Sequence, residues 1–126
     1  MKKIPEELWE AAELVKETAS RKQATILLKA PVDIISDGEK VRFNRTGNPA
    51  MTSGGTGDVL AGIVGGFLAM GIKPFEAAVA GAFLNGAAGD LAYKRKGPHL
   101  TATDLLAEIP ALIENPMLHL EALKPR

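Results

Sequence analysis

The chain has 126 residues, of which 46% are hydrophobic and 24% are charged, and its formal net charge is zero. This composition is typical of one globular domain with a buried core, and it excludes a disordered chain. The basic and acidic residues are balanced in both halves of the sequence, so we expect no basic surface for nucleic acid or for an anionic membrane.

The sequence shows no signal for disulfides, a metal site, secretion or a membrane span. The chain has no cysteine, which excludes disulfides and thiolate ligands, and its two histidines, His99 and His119, lie far apart in sequence. The N-terminal sequence is too acidic for a signal peptide, and no uninterrupted apolar run reaches the ~18 residues of a membrane span. We therefore expect a soluble cytoplasmic protein.

The first third of the chain predicts one helix and three strands. Apolar residues at helical spacing predict an amphipathic helix over residues 5–20, with Pro5 in its first turn. Three apolar or alternating stretches predict strands, at residues 24–28, 32–36 and 40–44. The Asp37-Gly38 pair between the last two is a typical hairpin turn. A helix, then strands, then a loop leading into another helix is an α/β pattern.

The remainder of the chain predicts helices. The apolar stretch from about Thr56 to Met70 predicts a buried helix, and Gly71 supplies its C-terminal stop. A second helix is expected from Pro74 to Tyr93, and its many alanines and glycines would let it pack closely on the first. Two elements complete the prediction: a short helix from Thr101 or Thr103 to Ile109, and an irregular or weakly helical segment over residues 114–126.

Residues 47–57 (GNPAMTSGGTG) form a glycine-rich loop that leads directly into the apolar helix. Gly54, Gly55 and Gly57 would let backbone N–H groups converge, because glycine accepts positive φ and has no Cβ to block a ligand. The helix that follows adds unpaired N–H groups and the positive end of its dipole. Together these features predict an anion site, most often one for phosphate.

Asp58 lies in the first turn of that helix, where a second anion would repel a bound phosphate. Its presence there calls for a chemical reason, although it can instead be a partner of the helix dipole worth ~0.3–1 kcal/mol. The glycines can likewise serve close helix packing. Two common phosphate motifs do not fit: no lysine follows Gly57 as in a P-loop, and Leu60 stands where the dinucleotide fingerprint needs a small residue.

The segment Asn48 to Gly62 (NPAMTSGGTGDVLAG) resembles the signature of the ADP- or ATP-dependent NAD(P)H-hydrate dehydratases. The GGTGDVLAG run is its most specific part, and the resemblance covers about residues 24–109. It implies an α/β protein with a ribokinase-like, three-layer α/β/α fold. Because family members have a further N-terminal half with several strands, residues 1–126 are expected to form a single domain or the C-terminal part of the family domain.

The resemblance also implies a reaction. Its substrate is (S)-NAD(P)H-hydrate, a cofactor damaged by addition of water to the nicotinamide ring. These enzymes phosphorylate the resulting hydroxyl with ADP or ATP and then eliminate phosphate, which regenerates NAD(P)H. Asp58 is the implied catalytic residue, which accepts the proton of the attacking hydroxyl or orients that hydroxyl. Mg²⁺ is expected because phosphoryl transfer needs charge neutralisation, although no ligand set is visible in the sequence.

Two segments are implied to bind the nucleotide. The first follows the strand at 24–28 and comprises Lys29, Ala30, Pro31, Val32 and Asp33. Ala30 replaces the glycine that is usual in the family, and Lys29 can alternatively be a solvated strand end. The second precedes the helix and comprises Asn48, Pro49, Ala50, Met51, Thr52, Ser53, Gly54, Gly55, Thr56 and Gly57.

Two alternatives remain beside the dehydratase. A kinase of the same fold, acting on a vitamin precursor or a sugar, would use the same loop and the same base but release the phosphorylated product. A non-catalytic nucleotide-binding fragment is the other. The expected partners are the NAD(P)H hydrate, further copies of the chain in a homo-oligomer, and an NAD(P)H-hydrate epimerase domain in the parent polypeptide. No nucleic-acid or membrane partner is expected.

Overall fold

The computed structural model describes residues 4–125, which form five α-helices, three 3₁₀ turns and one three-stranded sheet. The helices are α1 (Glu6–Lys22), α2 (Thr56–Ala69), α3 (Pro74–Lys96), α4 (Ala102–Glu114) and α5 (His119–Ala122). The strands are β1 (Ile26–Leu28), β2 (Asp33–Ser36) and β3 (Val41–Asn44), and the 3₁₀ turns are Pro49–Thr52, Gly97–His99 and Pro116–Leu118. Within residues 4–125, none of the helices combines the length and the apolar character needed to cross a membrane.

The elements predicted from periodicity are present, with most boundaries shifted by one to three residues. The prediction that α2 is a buried helix is wrong, because only Thr56 and Leu60 of this helix are buried. One boundary differs more. The predicted end of α4 at Ile109 is wrong, because the helix continues through Pro110 to Glu114. A proline inside a helix removes one backbone hydrogen bond, yet the continuation places Leu112 fully buried in the core. The start of α4 agrees with the prediction: Thr101 is the N-cap and forms a capping box with Asp104.

The sheet has β2 at its centre, paired antiparallel with β1 on one side and with β3 on the other. Leu28 and Phe43 are the two neighbours of Ile34 across these pairs. The outer edges of β1 and β3 carry no further strand among the described residues. Both outer strands therefore have one open edge within the part of the chain that the structure describes.

The sheet is covered by helices on both faces. Side chains alternate along a strand, so the neighbours Ile34 and Ile35 point in opposite directions. Ile34 packs with Val15 on α1, whereas Ile35 packs with Phe75 and Ala78 on α3. The result is the predicted three-layer α/β/α arrangement.

Helix α3 lies at the centre of the molecule. It packs on the sheet through Phe75 and Ala78, and other buried residues along it belong to the largest core cluster. That cluster comprises Met51, Leu84, Ala87, Ala88, Leu91, Ala92, Leu100, Leu105 and Leu112. Glycines on α3 let the chain before α2 approach closely: a Cβ on Gly86 would lie 2.1 Å from Thr46 Oγ1, and one on Gly89 would lie 2.0 Å from Met51 Sδ. The loop over residues 46–51 is thus held directly against α3.

We predict that Gly86→Ala lowers the free energy of unfolding by ~1–3 kcal/mol, because overpacking forces backbone shifts. The added Cβ would lie 2.5 Å from the carbonyl oxygen of Thr46, which cannot rotate away. The matched control is Gly65→Ala in α2, where an added Cβ meets nothing within 4 Å; it should gain roughly 0.5–1 kcal/mol from helix propensity. Urea denaturation measures the free energy of unfolding of both variants. Equal changes in the two variants would show that the contact between Gly86 and Thr46 is not tight.

Candidate functional site

A cleft of about 570 Å³ lies between the end of β1 and the loop that precedes α2. Its lining comes from both sides of that gap and comprises Lys29, Ala30, Pro31, Thr46, Gly47, Asn48, Pro49, Met51, Thr52, Thr56 and Gly57. The structure therefore brings the two sequence segments together, although they are separated by β2 and β3. The volume falls within the ~300–1,000 Å³ range of small-molecule sites.

The N-terminus of α2 opens onto this cleft without a side-chain cap. The first helical hydrogen bond runs from the Val59 N–H to the carbonyl of Gly55. The N–H groups of the preceding residues in the first turn have no acceptor within the helix, which is the general property of helix N-termini. They present partial positive charge at the cleft.

Thr56 and Gly55 set the direction in which this helix starts. The Thr56 hydroxyl donates to the carbonyl of Met51 at 2.7 Å, so its side chain is buried and ties α2 to the preceding 3₁₀ turn. Gly55 has φ of 99°, and a Cβ at this position would lie 2.9 Å from the Cβ of Ala102. A residue with a side chain would therefore be both strained and crowded at Gly55.

Asp58 occupies the exposed side of the first turn of α2, directly after Gly57. Within residues 4–125 its carboxylate makes no hydrogen bond or ion pair. Added Cβ atoms on Gly54 and Gly57 would meet nothing within 4 Å, so open space lies in front of the backbone there. Asp58 is thus free to receive a proton or a cation from a ligand placed at this turn.

The wall formed by residues 29–31 is held from behind by Asp33. Its buried carboxylate accepts a hydrogen bond from the Ala30 N–H at 3.1 Å and another from the Asn44 side chain at 2.9 Å. The ammonium of Lys29 lies 3.6 Å from the same carboxylate, and the Lys29 side chain is 44% exposed. Asp33 therefore shapes this wall, while Lys29 can reach into the cleft.

The opposite wall is held by Asp90 of α3. One carboxylate oxygen of Asp90 accepts from the Gly47 N–H at 3.0 Å, and the other accepts from the Asn48 side chain at 2.9 Å. The Asn48 side-chain oxygen in turn accepts from the Ala50 N–H and caps the 3₁₀ turn. Imidazole Nε2 of His119 lies 2.8 Å from Asp90 Oδ2.

The predicted nucleotide-binding residues divide into two groups by position. Those that line the cleft are Lys29, Ala30, Pro31, Asn48, Pro49, Met51, Thr52, Thr56 and Gly57. Those outside its lining are Val32, Asp33, Ala50, Ser53, Gly54 and Gly55. Direct contact of any of them with a nucleotide stays a prediction.

Sequence reasoning missed several residues that build the cleft. Thr46 lines it, and Asp90 and Asn44 fix its walls. Gly47 also lines it; it belongs to the predicted glycine-rich loop but was not among the predicted nucleotide-binding residues. Among the missed residues, Asp90 carried a signal, as a polar residue in an otherwise small and apolar helix. The partners of these side chains lie in distant segments, so no local pattern identifies them.

A second, apolar groove of about 380 Å³ runs between β1 and α2. Its lining comprises Thr25, Leu27, Lys29, Gly57, Leu60, Ala61, Val64, Leu68, Pro74 and Ala78. It shares Lys29 and Gly57 with the first cleft, so the two meet at the first turn of α2. A further hollow along α1 is lined mainly by charged, solvated side chains of that helix and includes no residue of either.

The family model described as NAD(P)H-hydrate dehydratase matches residues 1–111. The chain belongs to this family. It is 54% identical over 101 residues to the bifunctional NAD(P)H-hydrate repair enzyme of Hyperthermus butylicus. The aligned region covers 80% of this chain and 19% of the H. butylicus enzyme. It is 46% identical over 110 residues to the ADP-dependent (S)-NAD(P)H-hydrate dehydratase of Cenarchaeum symbiosum, covering 87% and 38% of the two chains.

Solved structures show the same fold. The ADP/ATP-dependent NAD(P)H-hydrate dehydratase of Bacillus subtilis, co-crystallised with ATP/Mg²⁺, superposes with a TM-score of 0.75 at 31% identity over 85% of this chain and 40% of that one. The hydroxyethylthiazole kinase protein of Pyrococcus horikoshii superposes with a TM-score of 0.72 at 23% identity over 86% and 42%. The predicted ribokinase-like fold is confirmed, and the chain spans less than half the length of these relatives.

Proposed function

We propose that this chain forms the nucleotide-binding part of an ADP- or ATP-dependent (S)-NAD(P)H-hydrate dehydratase. The observation that carries the proposal is the uncapped N-terminus of α2, which opens onto a cleft of nucleotide size beside Lys29. Family membership and the names of the relatives in Cenarchaeum symbiosum and Bacillus subtilis support it.

In this proposal the phosphates of the nucleotide lie at the first turn of α2. The N–H groups of Thr56, Gly57 and Asp58 donate to phosphate oxygens, and the helix dipole adds to the attraction. The ammonium of Lys29, which lies 3.6 Å from the Asp33 carboxylate, adds positive charge from the other wall. Preorganised donors of this kind stabilise the charge that develops on a transferring phosphoryl group.

Asp58 is the proposed catalytic residue. The hydroxyl oxygen of the hydrate attacks the terminal phosphorus, the bond from that phosphorus to the nucleotide breaks, and the hydroxyl proton passes to the Asp58 carboxylate. The C–O bond then breaks, phosphate leaves, and loss of a ring proton restores the double bond of NAD(P)H. Phosphate is a far better leaving group than hydroxide, which explains why a dehydration consumes a nucleotide.

Mg²⁺ is part of the proposal as a companion of the nucleotide. The described residues contain no group of three or more histidine, aspartate or glutamate side chains that could hold a metal by themselves. Mg²⁺ is usually held by one or two carboxylates together with substrate phosphates. In this proposal the phosphates of the nucleotide bring the ion to the cleft. When bound, the ion neutralises charge on the transferring group.

The kinase alternative has less support. The similarity to the hydroxyethylthiazole kinase is 23% identical and shows the fold alone. The relatives at 46% and 54% identity are named as hydrate dehydratase and hydrate repair enzyme. We therefore do not propose release of a phosphorylated alcohol.

The remaining proposals concern what surrounds the chain. We propose that residues 1–126 are the C-terminal part of the family domain and that further protein covers the edge of β1. The H. butylicus relative is named bifunctional, which supports an epimerase domain as a partner in the parent polypeptide. Formation of a homo-oligomer and a cytoplasmic location stay predictions.

We predict that ADP binds at the first turn of α2, as measured by isothermal titration calorimetry with Mg²⁺. Gly57→Ala should weaken ADP binding by at least about tenfold, ~1.4 kcal/mol, because its methyl group enters the open space in front of the backbone. The matched control is Gly62→Ala on the same helix, which also meets nothing within 4 Å and should leave affinity unchanged. No binding to the unaltered protein at millimolar ADP would refute the nucleotide site.

We predict that Asp58→Asn lowers turnover ~10²–10⁴-fold, the usual contribution of a positioned proton acceptor. The substitution keeps the shape of the side chain and removes the base. ADP affinity should hold or rise, because an anion beside the phosphates is lost. The assay is recovery of reduced-nicotinamide absorbance in the parent polypeptide, and a near-normal rate would show that Asp58 serves only the helix dipole.

We predict that the isolated 126-residue chain self-associates and lacks dehydratase activity. Open strand edges invite pairing with another chain, and α2 exposes Leu68 at 44%, followed by Met70 at 76%. The nicotinamide end of the substrate would also lack walls to orient it. Sedimentation velocity and the absorbance assay measure the two properties, and a monomer with full activity contradicts both.

A further inference from the structure

The carboxylate of Asp90, on α3, contacts two other segments of the chain: residues 47–48 and His119. Its Oδ2 accepts from the Gly47 N–H at 3.0 Å and lies 2.8 Å from Nε2 of His119, while its Oδ1 accepts from the Asn48 side chain at 2.9 Å. The side chains of Asp90 and His119 are each only 14% exposed. An Asp90 oxygen that loses its donor in such surroundings remains buried without a hydrogen bond, which costs free energy. The position of the carboxylate therefore depends on all of its donors.

The Asp90 carboxylate controls the geometry of the cleft wall. Gly47 has φ of 109°, and it lines the cleft together with Asn48. Asn48 also caps the 3₁₀ turn through the Ala50 N–H at 3.1 Å. A shift of the Asp90 carboxylate would therefore move both the start of the loop and the turn that follows it.

His119 comes from the C-terminal segment, beyond the point where the family match ends at residue 111. Its ring packs edge-on against Phe83 of α3, with centroids 5.6 Å apart and an interplanar angle of 81°. A second contact fixes the same segment, since the Lys94 ammonium donates to the carbonyl of Glu121. The imidazole is thus held in place from two directions while one nitrogen faces Asp90.

We propose that residues 115–122 act as a latch on the candidate nucleotide cleft, with His119 and Asp90 as positioning residues. The donor on His119 Nε2 holds Asp90 Oδ2 in the orientation that receives the Gly47 N–H. Without that donor, the carboxylate rotates and residues 47–50 lose their fixed geometry. The effect on nucleotide affinity rests on the proposed function, but the effect on the loop does not.

Two substitutions separate the hydrogen bond of His119 from its packing. His119→Phe keeps a ring against Phe83 and removes the donor, whereas His119→Gln keeps an N–H donor and removes the ring. The control is Lys124→Ala, which removes only an exposed ion pair with Glu121 in the same segment. Amide hydrogen exchange at Gly47 and Ala50 measures the loop, and calorimetric titration with ADP and Mg²⁺ measures the cleft.

We expect His119→Phe to speed exchange at the Gly47 amide about fivefold and to weaken ADP binding by a similar factor, as loss of one hydrogen bond implies. His119→Gln and Lys124→Ala should stay within about twofold of the unaltered protein. Unchanged Gly47 exchange in His119→Phe overturns the latch. So does a His119→Gln variant that matches His119→Phe, because packing would then be the cause.

Two further outcomes separate the latch from the nucleotide function. If exchange responds as expected but ADP does not bind the unaltered protein, the latch on the loop stands and the proposed function fails. If ADP binds equally well to His119→Phe while exchange rises, the latch does not position the loop for the nucleotide, and the inference is overturned.

Discussion

The close contact between α3 and the loop over residues 46–51 is the constraint on which the site depends. Thr46 and Met51 pack against Gly86 and Gly89, where an added Cβ would lie 2.1 Å from Thr46 Oγ1 or 2.0 Å from Met51 Sδ. The contact fixes the loop, the loop fixes the 3₁₀ turn, and the Thr56 hydroxyl fixes α2 to the turn through the Met51 carbonyl. The direction of the N-terminus of α2 therefore depends on the packing of the loop over residues 46–51 against α3.

The site contains three carboxylates in two different situations: Asp33 and Asp90 pair with protein donors, whereas Asp58 is exposed. Asp33 and Asp90 each accept backbone and side-chain donors and so brace opposite walls. The Lys29 side chain, which is 44% exposed beside Asp33, and the first turn of α2 present positive charge to the cleft. Asp58, on the exposed side of that turn, is left with no protein partner within the described residues. This distribution suits a bound polyanion with an acidic group beside it.

Sequence reasoning succeeded where the signal was local. Apolar spacing defined the helices, and the glycines before Thr56 marked both the loop and the start of α2. It failed at the end of α4, because the helix continues through Pro110 and the continuation buries Leu112. Tertiary packing outweighed the cost of one missing backbone hydrogen bond.

The walls of the cleft could not be predicted for a different reason. Asp90 meets Asn48 across 42 residues of sequence, and Asn44 meets the Ala82 carbonyl across 38. Such pairs depend on how the sheet and α3 are placed relative to one another, which single-residue patterns do not encode. The same holds for His119, whose isolation in the sequence argued against a metal site but gave no sign of its contact with Asp90.

Amide chemical-shift mapping during a titration with ADP and Mg²⁺ locates the bound phosphates on the backbone. We predict that the largest shifts fall on Thr56, Gly57 and Asp58 at the start of α2, with further shifts at Lys29 and Ala30 across the cleft. Shifts confined to α1 or to the apolar groove between β1 and α2, with none in the first turn of α2, would contradict it.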